Sequence, residues 1–150
     1  MGARREGREA AIQFLFQRDL HGAGDPPDPE AFWALRGDAD AKARAFAEAL
    51  VAGVLARLPE IDAWIRRFST NFELGRIAAV DRNILRVAVF EMLDNPALPA
   101  AVPINEAIEI AKRFAGQDSR KFVNGVLDGI RKELSRPAAA ADAPPPEPAP

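Results

Sequence analysis

The run RIAAVDRNILRVAVFEML, residues 76–93, constrains the chain more than any other stretch. Its apolar positions 77, 80, 84, 85, 88, 89 and 92 recur at helical spacing. They describe a helix buried along much of its length, and such a helix needs neighbours on several sides. No segment alternates with period two for long enough to make a strand, so those neighbours are helices.

The rest of the chain supplies them. A first helix is predicted from about Arg4 to Leu20, with Ala11, Ile12, Leu15 and Phe16 on its buried face and Phe14 beside it. Gly22, Gly24 and the prolines at 26, 27 and 29 predict a loop, followed by a short helix over 30–35. Asp38 or Asp40 starts a long helix marked by Phe46, Leu50, Val54 and Leu58. Pro59 ends it or opens the next, which carries Ile61, Trp64, Ile65 and Phe68. Beyond the central run, Pro103 suits a first helical position, and Ile104, Ala107, Ile108, Ala111 and Phe114 share one helical side. Gly116 stops that helix, and DSRKFVNGVLDGIRKEL forms the last one. The expected fold is an all-α bundle of about seven helices over residues 1–134. The final sixteen residues hold six Pro and six Ala, so 135–150 is expected to be a disordered tail.

Several function classes fall away on composition. No uninterrupted apolar run approaches the ~20 residues that cross a bilayer, so no membrane association is expected. The start MGARREGREAAIQFLF interrupts its apolar character with Glu6 and Glu9 and makes a poor signal peptide. With no cysteine there are no disulfides, no thiolate nucleophile and few routes to a zinc site. A reducing bacterial cytoplasm fits that usage. The single histidine, His21, near Asp19 and Asp25, reads as a turn residue before it reads as a metal ligand. GAGD at 22–25 lacks the strand and lysine of a phosphate-binding loop. Glu106 and Glu109 are acids on a polar helix face. No catalytic residue, metal or cofactor is expected.

What remains is a pattern of charge. The net charge is −2, yet residues 1–18 sum to +2 and residues 112–121 to +3, leaving −7 for the rest. Arg4, Arg5 and Arg8 cluster on one side of the first helical turn, where like charges repel. In DSRKFVNGVL, Asp118 or Ser119 reads as a cap, which puts Arg120 and Lys121 in the first turn of the last helix. Cations there oppose the macrodipole at about 0.3–1 kcal/mol each. A polyphosphate would resolve both conflicts, because Arg offers paired donors and Lys a point charge. Phe16, Phe68 and Phe122 offer faces on which unpaired bases stack. A solvated face for the cations and core packing for Phe122 explain the same residues, as do a backbone-binding amide at Asn124 and close helix approach at Gly125. Residue chemistry alone reaches only an RNA binder as one reading.

The blocks DRNILRVAVFEML, VPINEAIEIAKRF and DSRKFVNGVLD, in this order, resemble the NusB transcription antitermination family. RREGREAAIQFLFQ is similar to that family's Arg-rich first helix. The resemblance spans about Arg4 to Leu134 and implies two packed helical halves. It implies binding of the boxA element of nascent ribosomal RNA transcripts, together with the small-subunit ribosomal protein NusE, within the RNA polymerase antitermination complex. It places RNA contacts at Arg4, Arg5 and Arg8 and at Arg120, Lys121 and Phe122. Phe16 stands where the family often carries Tyr, which removes any hydroxyl contact. Gly7 interrupts the Arg cluster. The ribosomal partner is expected along DRNILR, at Asp81, Arg82 and Arg86.

Two other readings stay open. A similar helical domain is an accessory to ribosomal RNA cytosine methyltransferases, whose catalytic domain uses a Cys; with no Cys here, only a detached accessory module fits. The other is a homo-oligomeric scaffold, such as a homodimer that covers the basic surface.

Overall fold

The computed structural model describes residues 2–22, 28–37, 40–69 and 76–135. Among them are seven helices and no strand: α1 (Ala3–His21), α2 (Pro29–Arg36), α3 (Ala41–Ala56), α4 (Leu58–Phe68), α5 (Ala79–Asp94), α6 (Ala101–Phe114) and α7 (Gln117–Leu134). The expected bundle is therefore the observed one. Asp38 and the Pro/Ala tail lie outside the described residues, apart from Ser135. No described helix is long and apolar enough to cross a membrane.

Local chemistry sets the helix ends. The Asp28 carboxylate accepts from the Glu30 backbone N–H at 3.1 Å and Pro29 opens α2. Asp40 caps α3 through the Lys42 N–H at 3.4 Å. Pro59 opens α4, where its missing N–H costs nothing, and does not end α3. Pro103 sits two residues inside α6, which begins at Ala101. At α7 the expected side-chain cap is absent. The cap position is Gly116 at φ 96°, a left-handed conformation natural only to glycine.

Helix α5 packs against α1, α3, α4, α6 and α7 and joins two halves, α1–α3 and α4–α7. Ile84, Leu85, Val87, Ala88 and Val89 are essentially sealed from water. Each such large aliphatic side chain contributes about 1.5–3 kcal/mol of burial. Two glycines let the helices close up. A Cβ on Gly53 of α3 would sit 2.1 Å from the Phe90 ring of α5. One on Gly7 would sit 2.8 Å from Phe46 Cδ2 and 2.9 Å from the Ala43 carbonyl. Gly7 is thus a packing residue inside a continuous α1, not an interruption. Phe114 departs from its expected side: it is 55% exposed at the end of α6.

Candidate nucleic-acid interface

The three arginines of α1 share a helix turn but occupy different environments. Arg4 is exposed, with its guanidinium 5.0 Å from the Phe46 ring centroid. Arg5 is half-buried and forks onto Glu106, with Nε 3.0 Å from Oε1 and Nη2 on the other oxygen. Arg8 is only 4% exposed. Its Nε and Nη2 donate to the two oxygens of Glu91 at 2.7 and 2.8 Å, and Nη1 reaches Glu106 at 3.4 Å. Burial works against the Arg8 charge, but hydrogen bonding to Glu91 and the charges of Glu91 and Glu106 more than reverse it, so the guanidinium holds its proton more firmly than usual. The hydrogen bond from Arg5 likewise holds the Glu106 carboxyl below its ordinary range against a smaller opposing effect of burial. Arg4, Arg8, Glu91 and Glu106 border a cleft of about 660 Å³ that also takes in Phe46, Asn95 and Asn105. The structure thus gives Arg4 an open position and turns Arg8 inward onto carboxylates of its own chain.

The second basic stretch begins α7. Because the helix starts at Gln117, Arg120 and Lys121 fall at its fourth and fifth positions, past the strongest part of the dipole. Lys121 is exposed, and Arg120 is half-buried with Nη2 donating to Gln117 at 3.1 Å. Ser119 is not the cap: its hydroxyl donates to Asp81 Oδ2 at 3.1 Å. Phe122 is half-buried against the core and lines a hollow of about 320 Å³ with Arg76, Asp81, Asp118 and Ser119. Asp81 is 8% exposed, and its Oδ1 has no hydrogen-bond partner. Burial pushes its carboxyl up, and the Ser119 bond offsets only part of that. Phe68 stacks on Trp64 at 6.3 Å and packs on Gly129, so it is a partly buried ring against the core.

The other two partner candidates of the DRNILR segment, Arg82 and Arg86, face inward. Arg86, 6% exposed, forks onto Asp62 at 2.9 and 3.0 Å and reaches Asp19 at 2.9 Å. Arg82 meets the same Asp19 oxygen at 3.1 Å and the Ile77 carbonyl at 3.1 Å. Asn83 adds a bond to Asp19 at 3.0 Å. Burial alone would raise the Asp19 carboxyl, but the Asn83 amide and the guanidiniums of Arg86 and Arg82 bring it below its usual value. Asp19 is therefore an ion-pair acceptor inside the fold, and the described residues contain no cluster of three or more His, Cys, Asp or Glu suited to a metal.

The two basic helix starts meet opposite ends of α5. Arg8 touches Glu91 and Ser119 touches Asp81, ten positions apart, or about 15 Å of helix. A surface that sequence reasoning missed lies along α1 and α6. Arg5, Glu9, Lys112 and Arg113 line a hollow of about 250 Å³. It shares Glu9, Ile110 and Arg113 with a groove of about 410 Å³ holding Phe16, Arg36 and Phe114. The signal was the +3 charge of residues 112–121, but helical spacing had assigned Phe114 to the core.

Comparison with known proteins agrees with this fold. The model of the NusB family matches residues 5–132. The transcription antitermination protein NusB of Sorangium cellulosum (strain So ce56) is 45% identical over 136 residues, 91% of this chain and 96% of that one. That of Geobacter sulfurreducens is 46% identical over 134 residues, covering 89% and 97%. Among solved structures, T. maritima NusB superposes with TM-score 0.76 at 38% identity, over 92% of this chain and 96% of that one. The antitermination factors NusB and NusE in complex with dsRNA give TM-score 0.75 at 28% identity, over 87% and 96%. With most of its length matched by the family model and relatives above 40% identity, the chain belongs to the NusB family.

Proposed function

We propose that this chain is a transcription antitermination factor that binds boxA RNA of nascent ribosomal transcripts together with the small-subunit ribosomal protein NusE. It works in the bacterial cytoplasm within the RNA polymerase antitermination complex, by binding and not by bond-making chemistry. The observation that carries the reading is the open cation at Arg4, held over Phe46 beside a cleft in which Arg8 already has its carboxylates, while Arg5 next to it is taken by Glu106. A solved relative whose name joins NusB, NusE and RNA supports it. In this reading residues 1–134 are the RNA-binding unit.

The residues divide by what surrounds them. Arg4, Arg5, Arg120 and Lys121 meet phosphates, while Phe16 and Phe122 offer ring faces to bases. Arg8 positions the site by fixing Glu91 and Glu106, the latter being the carboxylate that orients Arg5. Asp81 lines the hollow beside Phe122 on the NusE side, and Arg82 and Arg86 hold the helix that carries it.

The test titrates the full chain with boxA RNA and a scrambled control, with and without NusE, across salt. The boxA strand should bind more tightly, with a steep negative salt slope. Arg4→Ala and Lys121→Ala should each lower that slope by about one. Equal binding of both strands would overturn the functional reading. Unchanged slopes in the variants would remove these residues from the interface.

A further inference from the structure

We propose that Glu106 is an autoinhibitory latch: it occupies Arg5 in the resting chain as an internal substitute for phosphate and releases it when RNA arrives. This rests on the RNA-binding reading above and adds a restraint to it. The Arg5 guanidinium forks onto both Glu106 oxygens, with Nε 3.0 Å from Oε1 and Nη2 on Oε2. A phosphate takes paired donors in the same fork, so the Nε–Nη2 edge cannot serve both anions at once. The hydrogen bond to Glu106 is also the main reason that Arg5 holds its proton more firmly than usual, ahead of burial, which opposes it.

Two features make the pair releasable. The Arg5 side chain is 32% exposed, so an outside anion reaches it without opening the core. Glu106 also keeps a cation after the release, because Arg8 Nη1 stands 3.4 Å from its Oε1. Arg8 does not swing out with the strand. Its side chain is 5% exposed, and its Nε and Nη2 are fastened to Glu91 at 2.7 and 2.8 Å. A largely buried carboxylate stripped of every cation would be too unfavourable for a latch. One that retains Arg8 gives up only the worth of a half-exposed pair. Arg4 needs no such exchange, since it lies exposed over the Phe46 ring. A strand therefore engages Arg4 first, and Arg5 only by displacing Glu106. The exchange concerns phosphate and not base, so it weakens every strand alike.

The test measures the affinity of the full chain and of Glu106→Gln for boxA RNA and for a scrambled strand of equal length. Glutamine keeps the shape and removes the charge, so both strands should bind about two- to fivefold more tightly, the factor that corresponds to a half-exposed ion pair. Glu109 of α6 also bears on Arg5 through its charge. Glu109→Gln is therefore the control for charge alone and should change affinity by less than about twofold. In an Arg5→Ala background Glu106→Gln should have no effect, which closes a double-mutant cycle. Structural damage would weaken binding, so a gain is a readout that mere loss of packing does not produce. In NMR spectra the Arg5 Nε–H resonance of the unmodified chain should move when RNA is added, while that of Arg8 stays. The inference is overturned if Glu106→Gln binds no more tightly than the unmodified chain, if the gain survives in Arg5→Ala, or if Glu109→Gln gains as much. An Arg5 resonance that ignores RNA would overturn it too. Equal binding of the two strands by the unmodified chain would instead defeat the functional reading, a separate result that leaves the latch standing.

Discussion

Helix α1 ends in two charge clusters built with opposite signs. At its start, α1 contributes the bases Arg5 and Arg8, and α5 and α6 contribute the acids Glu91 and Glu106. At its far end, α1 contributes the acid Asp19, α5 the bases Arg82 and Arg86, and α4 a second acid, Asp62. The signs exchange because α1 and α5 run antiparallel, so Arg8 meets the end of α5 and Asp19 its beginning. Burial does not separate the clusters: the Arg8 and Glu91 side chains are 5% and 7% exposed, those of Arg86 and Asp19 8% and 12%. The difference is Arg4. It adds to the first cluster an exposed cation that lies over the Phe46 ring and beside an open cleft, whereas the second cluster closes on itself. Most charge in both clusters therefore organises the helices, and the surplus cation stands at one end alone.

The largest effect should come from breaking either cluster. Removing one partner of a buried pair leaves its carboxylate desolvated and uncompensated, at a cost of about 3–5 kcal/mol. Arg86→Ala strips guanidinium contacts from both Asp62 and Asp19, and Arg8→Ala strips them from Glu91 and Glu106. Urea unfolding should place both variants in this range, with Arg4→Ala within about 0.5 kcal/mol of the unmodified chain. If Arg8→Ala also fell within that small margin, the first cluster would be a surface contact and the comparison would collapse.

A smaller effect separates the two ends by packing. Gly7→Ala pushes a methyl against Phe46 and the Ala43 carbonyl, and overpacking of this kind costs about 1–3 kcal/mol. Phe46 is also the ring under Arg4, so the same substitution should weaken RNA binding by displacing the exposed cation. Thermal unfolding and RNA titration of one sample check both halves. An unchanged midpoint would show that α3 yields freely at this point.

Sequence periodicity made the helices legible, because α5 carries its apolar residues at helical spacing and is buried where they lie. It also located the basic stretches. It could not show that Arg8 is buried, because the carboxylate that takes it, Glu91, lies 83 positions away. The same holds for Arg86 and Asp62, 24 positions apart. A charge count treats Arg4 and Arg8 as equals, and only tertiary contacts separate them. Phe114 was misplaced for a related reason: spacing names the apolar side of a helix but not where the neighbour covering it ends. Close helix approach was one account of Gly125, yet a Cβ there would meet nothing within 4 Å, and nothing in the structure explains it.

The smallest effect is the dependence on acid. Asp19 in one cluster and Glu106 in the other both titrate below their ordinary values in the folded chain. For such groups the stability contribution is complete above the unfolded-state value of about 4 and is lost as pH falls through the lower folded-state value. Both ends should therefore weaken on acidification below about pH 4. Asp19 receives bonds from Asn83, Arg82 and Arg86, whereas Glu106 receives them from Arg5 and Arg8 and its side chain is more exposed, 17% against 12%. Asp19→Asn should accordingly flatten the acid limb of stability more than Glu106→Gln, read as urea midpoints between pH 7 and pH 3. The reverse order would mean that the cleft end, with its surplus cation, holds its carboxylate more tightly than the closed end does.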